Sequence, residues 1–202
     1  MRKLFVSEFV TVDGVMQAPG GSKEDMEGGF PHGGWQAGLF DEDMGRAVDR
    51  GMSETGGFVL GRKTYEIFAA YWPTATGDNA EFASVMNEMP KYVASTTLRP
   101  PLEWQNSTLL EGDLRQAVTA LKQQEGKDLQ VIGSGNLAAS LTELGLVDEL
   151  RLMIHPLVLG TGKRLFPEGA PRMGLRLLDS TTSSTGVLIV TYGMESQGDR
   201  VA

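Results

Sequence analysis

Short apolar segments alternate with longer amphipathic segments along most of the chain. Runs of β-branched and other apolar residues predict strands, and apolar residues that recur every three or four positions predict helices. The predicted strands are 3–10, 57–61, 91–96, 129–133, 148–158, 174–180 and 186–194, and the predicted helices are 40–54, 62–70, 112–125 and 136–144. This alternation indicates an α/β domain with a mostly parallel, buried sheet and helices on both faces. The last two strands follow each other without a helix, so we expect an antiparallel hairpin at the sheet edge.

Residues 15–38 interrupt this pattern, because they are rich in glycine and carry few core residues. A loop of this length inside a compact domain is either disordered or functional. Phe30 and Trp35 give the loop apolar surface to bury, so we expect it to form a lid over a bound ligand, with Trp35 as a substrate contact. Residues 196–202 are predicted to be a frayed tail, which leaves one domain over residues 1–195.

Two glycine turns follow predicted strands and open predicted helices. The first is Gly61-Arg62-Lys63-Thr64, and the second is Gly133-Ser134-Gly135-Asn136-Leu137. The N–H groups of a first helical turn have no partner within the helix, and the helix dipole adds partial positive charge there, so such turns can hold phosphate groups. A Rossmann fold has a ribose-binding acid about 20 residues later. Met153 occupies that position, so we infer phosphate binding without Rossmann geometry.

Composition narrows the possible partners. The chain has 202 residues, 41% of them hydrophobic, with a net charge of −8 and no cysteine. Such a charge disfavours binding to nucleic acid or to an anionic membrane, so a phosphate-bearing ligand needs local cations such as Arg62 and Lys63. The absence of cysteine suits a cytoplasmic protein. With two histidines and no clustered acids at ligand spacing, we expect no metal site.

Several motifs, in this order along the chain, resemble the dihydrofolate reductase-like superfamily. They are Thr11-Val12-Asp13-Gly14, Leu60-Gly61-Arg62-Lys63-Thr64-Tyr65-Glu66, Tyr71-Trp72-Pro73, Lys91-Tyr92-Val93-Ala94-Ser95, Ile132-Gly133-Ser134-Gly135, and Val147-Asp148-Glu149-Leu150 followed by His155-Pro156. The most similar branch is the reductase domain of the bifunctional riboflavin-biosynthesis deaminase/reductases. The resemblance implies a three-layer fold around an eight-stranded sheet, one strand more than the pattern predicts. It also implies NADPH as the hydride donor and a homodimer.

The same resemblance implies roles for individual residues. It places Gly61, Arg62, Lys63 and Thr64 at the cofactor phosphates, Ser95 and Thr96 near the adenosine 2′-phosphate, and Gly133, Ser134, Gly135, Asn136 and Leu137 around the pyrophosphate. On the substrate side, Phe68 stands where the flavin-pathway reductases carry the first of two aspartates. Phe68, Trp72 and Trp35 are candidate substrate contacts, although Trp72 beside Tyr71 also suits a packing cluster. Asp13, Asp41 or an ordered water is the candidate proton source.

These features predict an NADPH-dependent reductase of a small pyrimidine- or pterin-like compound. The function resembles that of 5-amino-6-(5-phosphoribosylamino)uracil reductase in riboflavin biosynthesis, but the missing acidic pair argues against that substrate. Two alternatives stay open. One is a dihydrofolate reductase, and the other is a protein that binds a nucleotide or similar ligand on this fold without turning it over.

Overall fold

The computed structural model describes residues 1–195, and its eight strands form one sheet. The strands are β1 (Leu4–Thr11), β2 (Thr55–Gly61), β3 (Lys91–Ala94), β4 (Ser107–Leu109), β5 (Asp128–Ile132), β6 (Glu149–His155), β7 (Leu175–Thr182) and β8 (Leu188–Met194). The helices are α1 (Glu42–Glu54), α2 (Arg62–Tyr71), α3 (Ala80–Glu88), α4 (Leu114–Gln123) and α5 (Gly135–Glu143). The predicted frayed tail lies outside the described residues.

The strand order across the sheet is β4-β3-β2-β5-β1-β6-β8-β7. Every pair from β4 to β6 is parallel, whereas β8 runs antiparallel to both β6 and β7. The predicted mostly parallel sheet with a C-terminal antiparallel hairpin is therefore confirmed. As a result, the carboxyl ends of β3, β2, β5 and β1 lie in that order along one edge of the sheet.

The hydrophobic pattern missed one strand and one helix. Strand β4 has three residues, none of them fully buried, so it carries no apolar run. Helix α3 is short and buries Ala83 and Met86. The strand predicted at 148–158 ends earlier, at His155. Pro156 follows and has no N–H group to continue the ladder.

Strand β1 carries one acidic residue on its core-facing side. Leu4, Val6 and Val10 belong to the buried cluster that also includes residues of α4 and α5. Because side chains alternate between the two faces of a strand, Glu8 points to the same face as these three. The fold therefore places a carboxyl group in line with core residues.

The side chain of Lys91 forms hydrogen bonds to the C-terminal end of α3. This side chain is fully buried, and its Nζ donates to the carbonyls of Met86 and Asn87, each at 2.9 Å. The ammonium group also lies 4.2 Å from the centroid of the Trp104 ring. Burial lowers the pKa of Lys91 to about 8. The hydrogen bonds hold the missed helix against β3.

Replacing Lys91 with methionine should destabilise the protein. Both carbonyls lose the ammonium donor, although the Asn87 carbonyl still accepts from the side-chain amides of Gln105 and Asn106. An unsatisfied buried polar group costs about 1–3 kcal/mol, so the loss at the Met86 carbonyl should dominate. Urea denaturation should show this loss in the free energy of unfolding. Lys23→Met at an exposed position is the matched control. Equal stabilities for the two variants would show that Lys91 contributes nothing through these bonds.

Candidate functional site

A large open cleft extends from the carboxyl ends of the parallel strands along helix α1 to strand β8. Its volume is about 2520 Å³, well above the roughly 300–1,000 Å³ of a site for one small molecule. The turns after β2, β3 and β5, part of β1 and the loop before α1 all line it. The cleft therefore has room for an extended ligand together with a second, smaller one.

Two hydrogen bonds join the predicted glycine turns in this cleft. The Gly61 N–H donates to Ser134 Oγ at 2.9 Å, and the Ser134 N–H donates to Thr64 Oγ1, also at 2.9 Å. A Cβ at Gly61 would lie 3.6 Å from the Cβ of Leu137, so the two turns are in van der Waals contact. Helices α2 and α5 consequently begin side by side.

The N-termini of these two helices carry no side-chain cap within residues 1–195. By contrast, Asp41 caps α1 through the Met44 N–H, and Asp113 caps α4 through the Gln116 N–H at 3.0 Å. Uncapped first-turn N–H groups and two aligned helix dipoles favour an anion. Arg62 and Lys63 stand at the start of α2 as exposed or half-exposed cations. This arrangement can bind phosphate groups.

The second glycine turn has left-handed backbone conformation at two successive residues. Gly133 has φ +58° and Ser134 has φ +62°. A Cβ at Gly133 would lie 3.0 Å from Thr64 Cγ2, so glycine is required there by both conformation and space. Gly135 is constrained by space alone, because a Cβ there would approach Met16 Sδ to 2.6 Å. The side chain of Met16 thus lies over the start of α5.

Ser95 and Thr96 follow β3 and also line the cleft. The Ser95 hydroxyl accepts the N–H groups of Thr97 at 3.1 Å and Leu98 at 3.0 Å, which tightens the turn. Arg99 donates to the Thr96 carbonyl at 3.2 Å, so a guanidinium group lies beside the position predicted for a 2′-phosphate. Sequence reasoning missed Arg99. The sequence feature that could have indicated it is a basic residue three positions after Thr96.

The structure does not bring Trp35 into the cleft. Trp35 packs with Val15, Ala18 and Phe30 in a buried cluster, and its Nε1 donates to the Gln17 carbonyl at 2.7 Å. Residues 16–25 of the same loop face the cleft instead. A role for Trp35 as a substrate contact does not fit this geometry, because the ring anchors the loop to the body of the protein. Closure of the loop over a ligand stays a prediction.

Phe68 and Trp72 do line the cleft. They also pack on each other, with ring centroids 6.1 Å apart, and Trp72 lies 5.3 Å from Phe82. The Trp72 Nε1 is buried and has no hydrogen-bond partner in the described part of the chain. Trp72 therefore combines a packing role with a donor that a ligand could use.

Asp13 and Asp41, the predicted proton sources, have structural surroundings and do not line the cleft. Asp13 accepts the Thr11 hydroxyl at 2.6 Å and the Gly160 N–H at 2.8 Å, and these bonds help to lower its pKa to about 2. Asp41 accepts the Ser184 hydroxyl at 2.7 Å and caps α1, which holds its pKa far below the usual range. Both carboxylates are stabilised as anions, so neither fits the role of a proton donor.

Glu8 is the acidic residue that sequence reasoning missed. It lines the cleft from β1, is 6% exposed, and its Oε1 has no hydrogen-bond partner among residues 1–195. Burial raises the pKa of Glu8 well above its usual range; the Gly133 backbone amide opposes this rise, and the charge of Glu24 adds to it. The available signal was a glutamate at a core-facing position of the first strand.

Residues 1–195 contain no group of three or more His, Cys, Asp or Glu side chains placed to hold a metal ion. Within the same residues, no helix has the length and apolar character needed to cross a membrane.

A family model described as the RibD C-terminal domain matches residues 2–189. The chain belongs to this family. YyaP, an uncharacterized protein of Bacillus subtilis, is 30% identical over 194 residues, which cover 95% of this chain and 94% of YyaP. The RibD C-terminal assignment confirms the branch that the sequence motifs resemble.

Solved structures confirm the dihydrofolate reductase-like fold. A Shewanella protein provisionally assigned to riboflavin biosynthesis aligns with a TM-score of 0.67 at 19% identity, over 96% of this chain and 99% of its own. Dihydrofolate reductase from Enterococcus faecalis, solved with NADP(H), aligns with a TM-score of 0.57 at 14% identity, over 96% of this chain and 97% of its own. At these identities the likeness establishes the fold.

Glu8→Gln should change how stability depends on pH. Because the folded-state pKa of Glu8 is raised, the folded protein binds a proton more readily than the unfolded chain above the ordinary pKa of 4.5. Wild-type stability should therefore fall as pH rises from that value toward the folded-state pKa, and glutamine removes this dependence.

Thermal unfolding across this pH range should show the variant gaining stability relative to the wild type as pH rises. Glu125→Gln, at an exposed position, is the control substitution. A constant difference between Glu8→Gln and the wild type would contradict the raised pKa.

Proposed function

We propose that the protein is an NADPH-dependent reductase that transfers a hydride to a small pyrimidine- or pterin-like compound. The observation that carries this proposal is the pair of uncapped helix N-termini, α2 and α5, joined by the hydrogen bonds between Ser134 and the Gly61–Thr64 turn. Membership of the RibD C-terminal family supports a reductase. The dihydrofolate reductase of the same fold, which was solved with NADP(H), supports the cofactor.

The strand order suggests how the cofactor lies. Ser95 and Thr96 follow β3, the two glycine turns follow β2 and β5, and Glu8 lies on β1, the next strand along the edge. With neighbouring strands about 4.8 Å apart, β3 and β1 are separated by about 14 Å. Adenosine near β3 and phosphates between β2 and β5 direct the nicotinamide end toward β1.

The substrate class follows from the aromatic side of the cleft. Phe68 and Trp72 offer apolar ring surface, and the Trp72 Nε1 offers a donor to a ring carbonyl. Phe68 replaces an acidic residue of the flavin-pathway reductases, so we favour a flat heteroaromatic ring over a phosphoribosylamino-pyrimidine. The protein has to position this ring and exclude water, while NADPH supplies the hydride.

NADPH should bind about ten- to a hundredfold more tightly than NADH. Charge-assisted hydrogen bonds from Arg62, with Lys63 and Arg99 nearby, to a 2′-phosphate are worth about 1.5–3 kcal/mol. Calorimetry with both cofactors measures the ratio directly. Arg62→Ala should lower the ratio of the two affinities, whereas Arg115→Ala, at an exposed position of α4 outside the cleft, should leave it unchanged. Equal affinities of the wild type for NADPH and NADH would refute the 2′-phosphate site.

A screen for turnover distinguishes the reductase from the ligand-binding alternative. Oxidation of NADPH is followed by its absorbance with dihydrofolate, pterins and aminouracils as test substrates. Oxidation with a pterin or aminouracil, and little with dihydrofolate, is the expected result. Tight NADPH binding without oxidation by any of these compounds would favour a binding protein on the reductase fold.

Gly135→Val should abolish NADPH binding while the protein stays folded. A side chain at this position displaces Met16 and stands over the first turn of α5, where the pyrophosphate is expected. Calorimetry measures binding, and a cooperative thermal transition shows that the variant is folded. Ala120→Val, at an exposed position of α4 outside the cleft, is the matched control. Normal NADPH binding by Gly135→Val would show that the turn is purely structural.

We also infer a homodimer that pairs through the hairpin. Strand β7 is an edge strand whose residues are almost all exposed, including Leu177 at 53% and Leu178 at 43%. Exposed apolar edges favour pairing with another chain. Light scattering at micromolar concentration should give a dimer mass, and Leu177→Glu should shift it toward the monomer. Val158→Glu, outside the hairpin, is the control. A monomeric wild type would refute the dimer.

A further inference from the structure

Glu8 lies where β1 leaves its pairing with β5. The register pairs Ser7 with Ile132, so Glu8 comes beside Gly133, the first residue of the second glycine turn. On its other side Glu8 is paired with Leu152 of β6. The carboxyl group thus stands at the boundary between the core and the cleft.

The Gly133 backbone amide favours the anion of Glu8, but burial of the carboxyl group outweighs this contact. The Glu8 Oε1 is buried without a hydrogen-bond partner in the described residues, although nearly all buried polar atoms in proteins have one. Burying an ionised carboxylate with one oxygen unpartnered is costly, so the site favours the protonated form of Glu8. This agrees with the raised pKa. A neutral acid facing a cleft has a proton to give.

The charged surroundings do not supply a counter-ion. Glu24, on the loop that lines the cleft, acts on Glu8 with the same sign of charge, and β5 and β6 present Gly133 and Leu152. Four basic residues of the cleft and its rim have acidic partners of their own. Lys163 pairs with Asp25 and Glu27, Lys63 with Glu27, Arg62 with Glu66, and Arg164 with Asp13.

We propose that Glu8 supplies the proton that accompanies hydride transfer. The inference rests on the proposed function, which places the nicotinamide end of NADPH over β1. NADPH supplies a hydride to the carbon of a substrate C=N bond, and the π electron pair moves to the nitrogen. The nitrogen then takes the proton of the Glu8 O–H group, so an N–H bond forms as the O–H bond breaks. Glu8 is left as a carboxylate and regains a proton from water after the product leaves.

This role has a consequence that needs no substrate. The oxidised nicotinamide ring carries a positive charge and the reduced ring does not. An opposite charge within about 4–6 Å lowers the pKa of a carboxyl group by about 1–3 units. NADP⁺ should therefore favour the ionised form of Glu8, and by linkage the ionised form should favour NADP⁺.

The test is the ratio of the dissociation constants of NADP⁺ and NADPH, measured by calorimetry between pH 5 and 9. In the wild type the ratio should fall by about tenfold or more as pH rises, which corresponds to a pKa shift of at least one unit. The phosphates titrate in both nucleotides, so their effect cancels in the ratio. Glu8→Gln should give a constant ratio, and Glu24→Gln, which removes the neighbouring acid, should keep the pH dependence.

The outcomes separate this inference from the proposed function. If neither nucleotide binds, both fail. If both bind and the wild-type ratio is constant with pH, the proton role of Glu8 fails and the reductase proposal stands. If the ratio changes equally in Glu8→Gln, another group titrates and the assignment to Glu8 is wrong. Should Glu8→Gln not fold, the wild-type ratio alone still decides whether the proton role survives.

Discussion

The hydrogen bonds between Ser134 and the Gly61–Thr64 turn are the contacts on which the rest of the site depends. They join the turns after β2 and β5, so two helices from distant parts of the chain begin side by side. Neither helix has a side-chain cap among residues 1–195, which leaves their N–H groups available to a ligand. Parallel pairing of β2, β5 and β1 brings Glu8 to the same edge of the sheet. The proposed phosphate site and an acid thus lie next to each other.

Asp13 and Asp41 differ from Glu8 in the hydrogen bonds that their carboxyl groups accept. Asp13 and Asp41 each accept several donors and are stabilised as anions, so they fix loops and helix ends. Glu8 is buried with Oε1 unpartnered in the described chain, and its proton is retained to higher pH. Burial and hydrogen bonding act in opposite directions on a carboxyl pKa. The same chemical group therefore serves structure in one place and is available for chemistry in another.

Much of the fold could be predicted from the sequence, because buried strands and amphipathic helices leave clear periodic patterns. The glycine turns were equally visible, because each glycine comes at the end of a buried strand. Gly133 has left-handed backbone, whereas Gly61 has ordinary extended backbone. Strand β4 was not visible, because three partly exposed residues carry no pattern. The sequence also could not predict where the Trp35 side chain packs or which groups surround Glu8. Both depend on contacts between residues far apart in the chain, such as the Trp35 packing against His155.

A crystal structure of the protein with bound NADPH tests the proposed site most directly. We predict that the pyrophosphate contacts the first turns of α2 and α5, that the adenosine lies near Ser95 and Thr96, and that the nicotinamide ring lies over β1 within reach of Glu8. A cofactor bound in the reverse direction, or bound away from the two helix N-termini, would contradict this assignment.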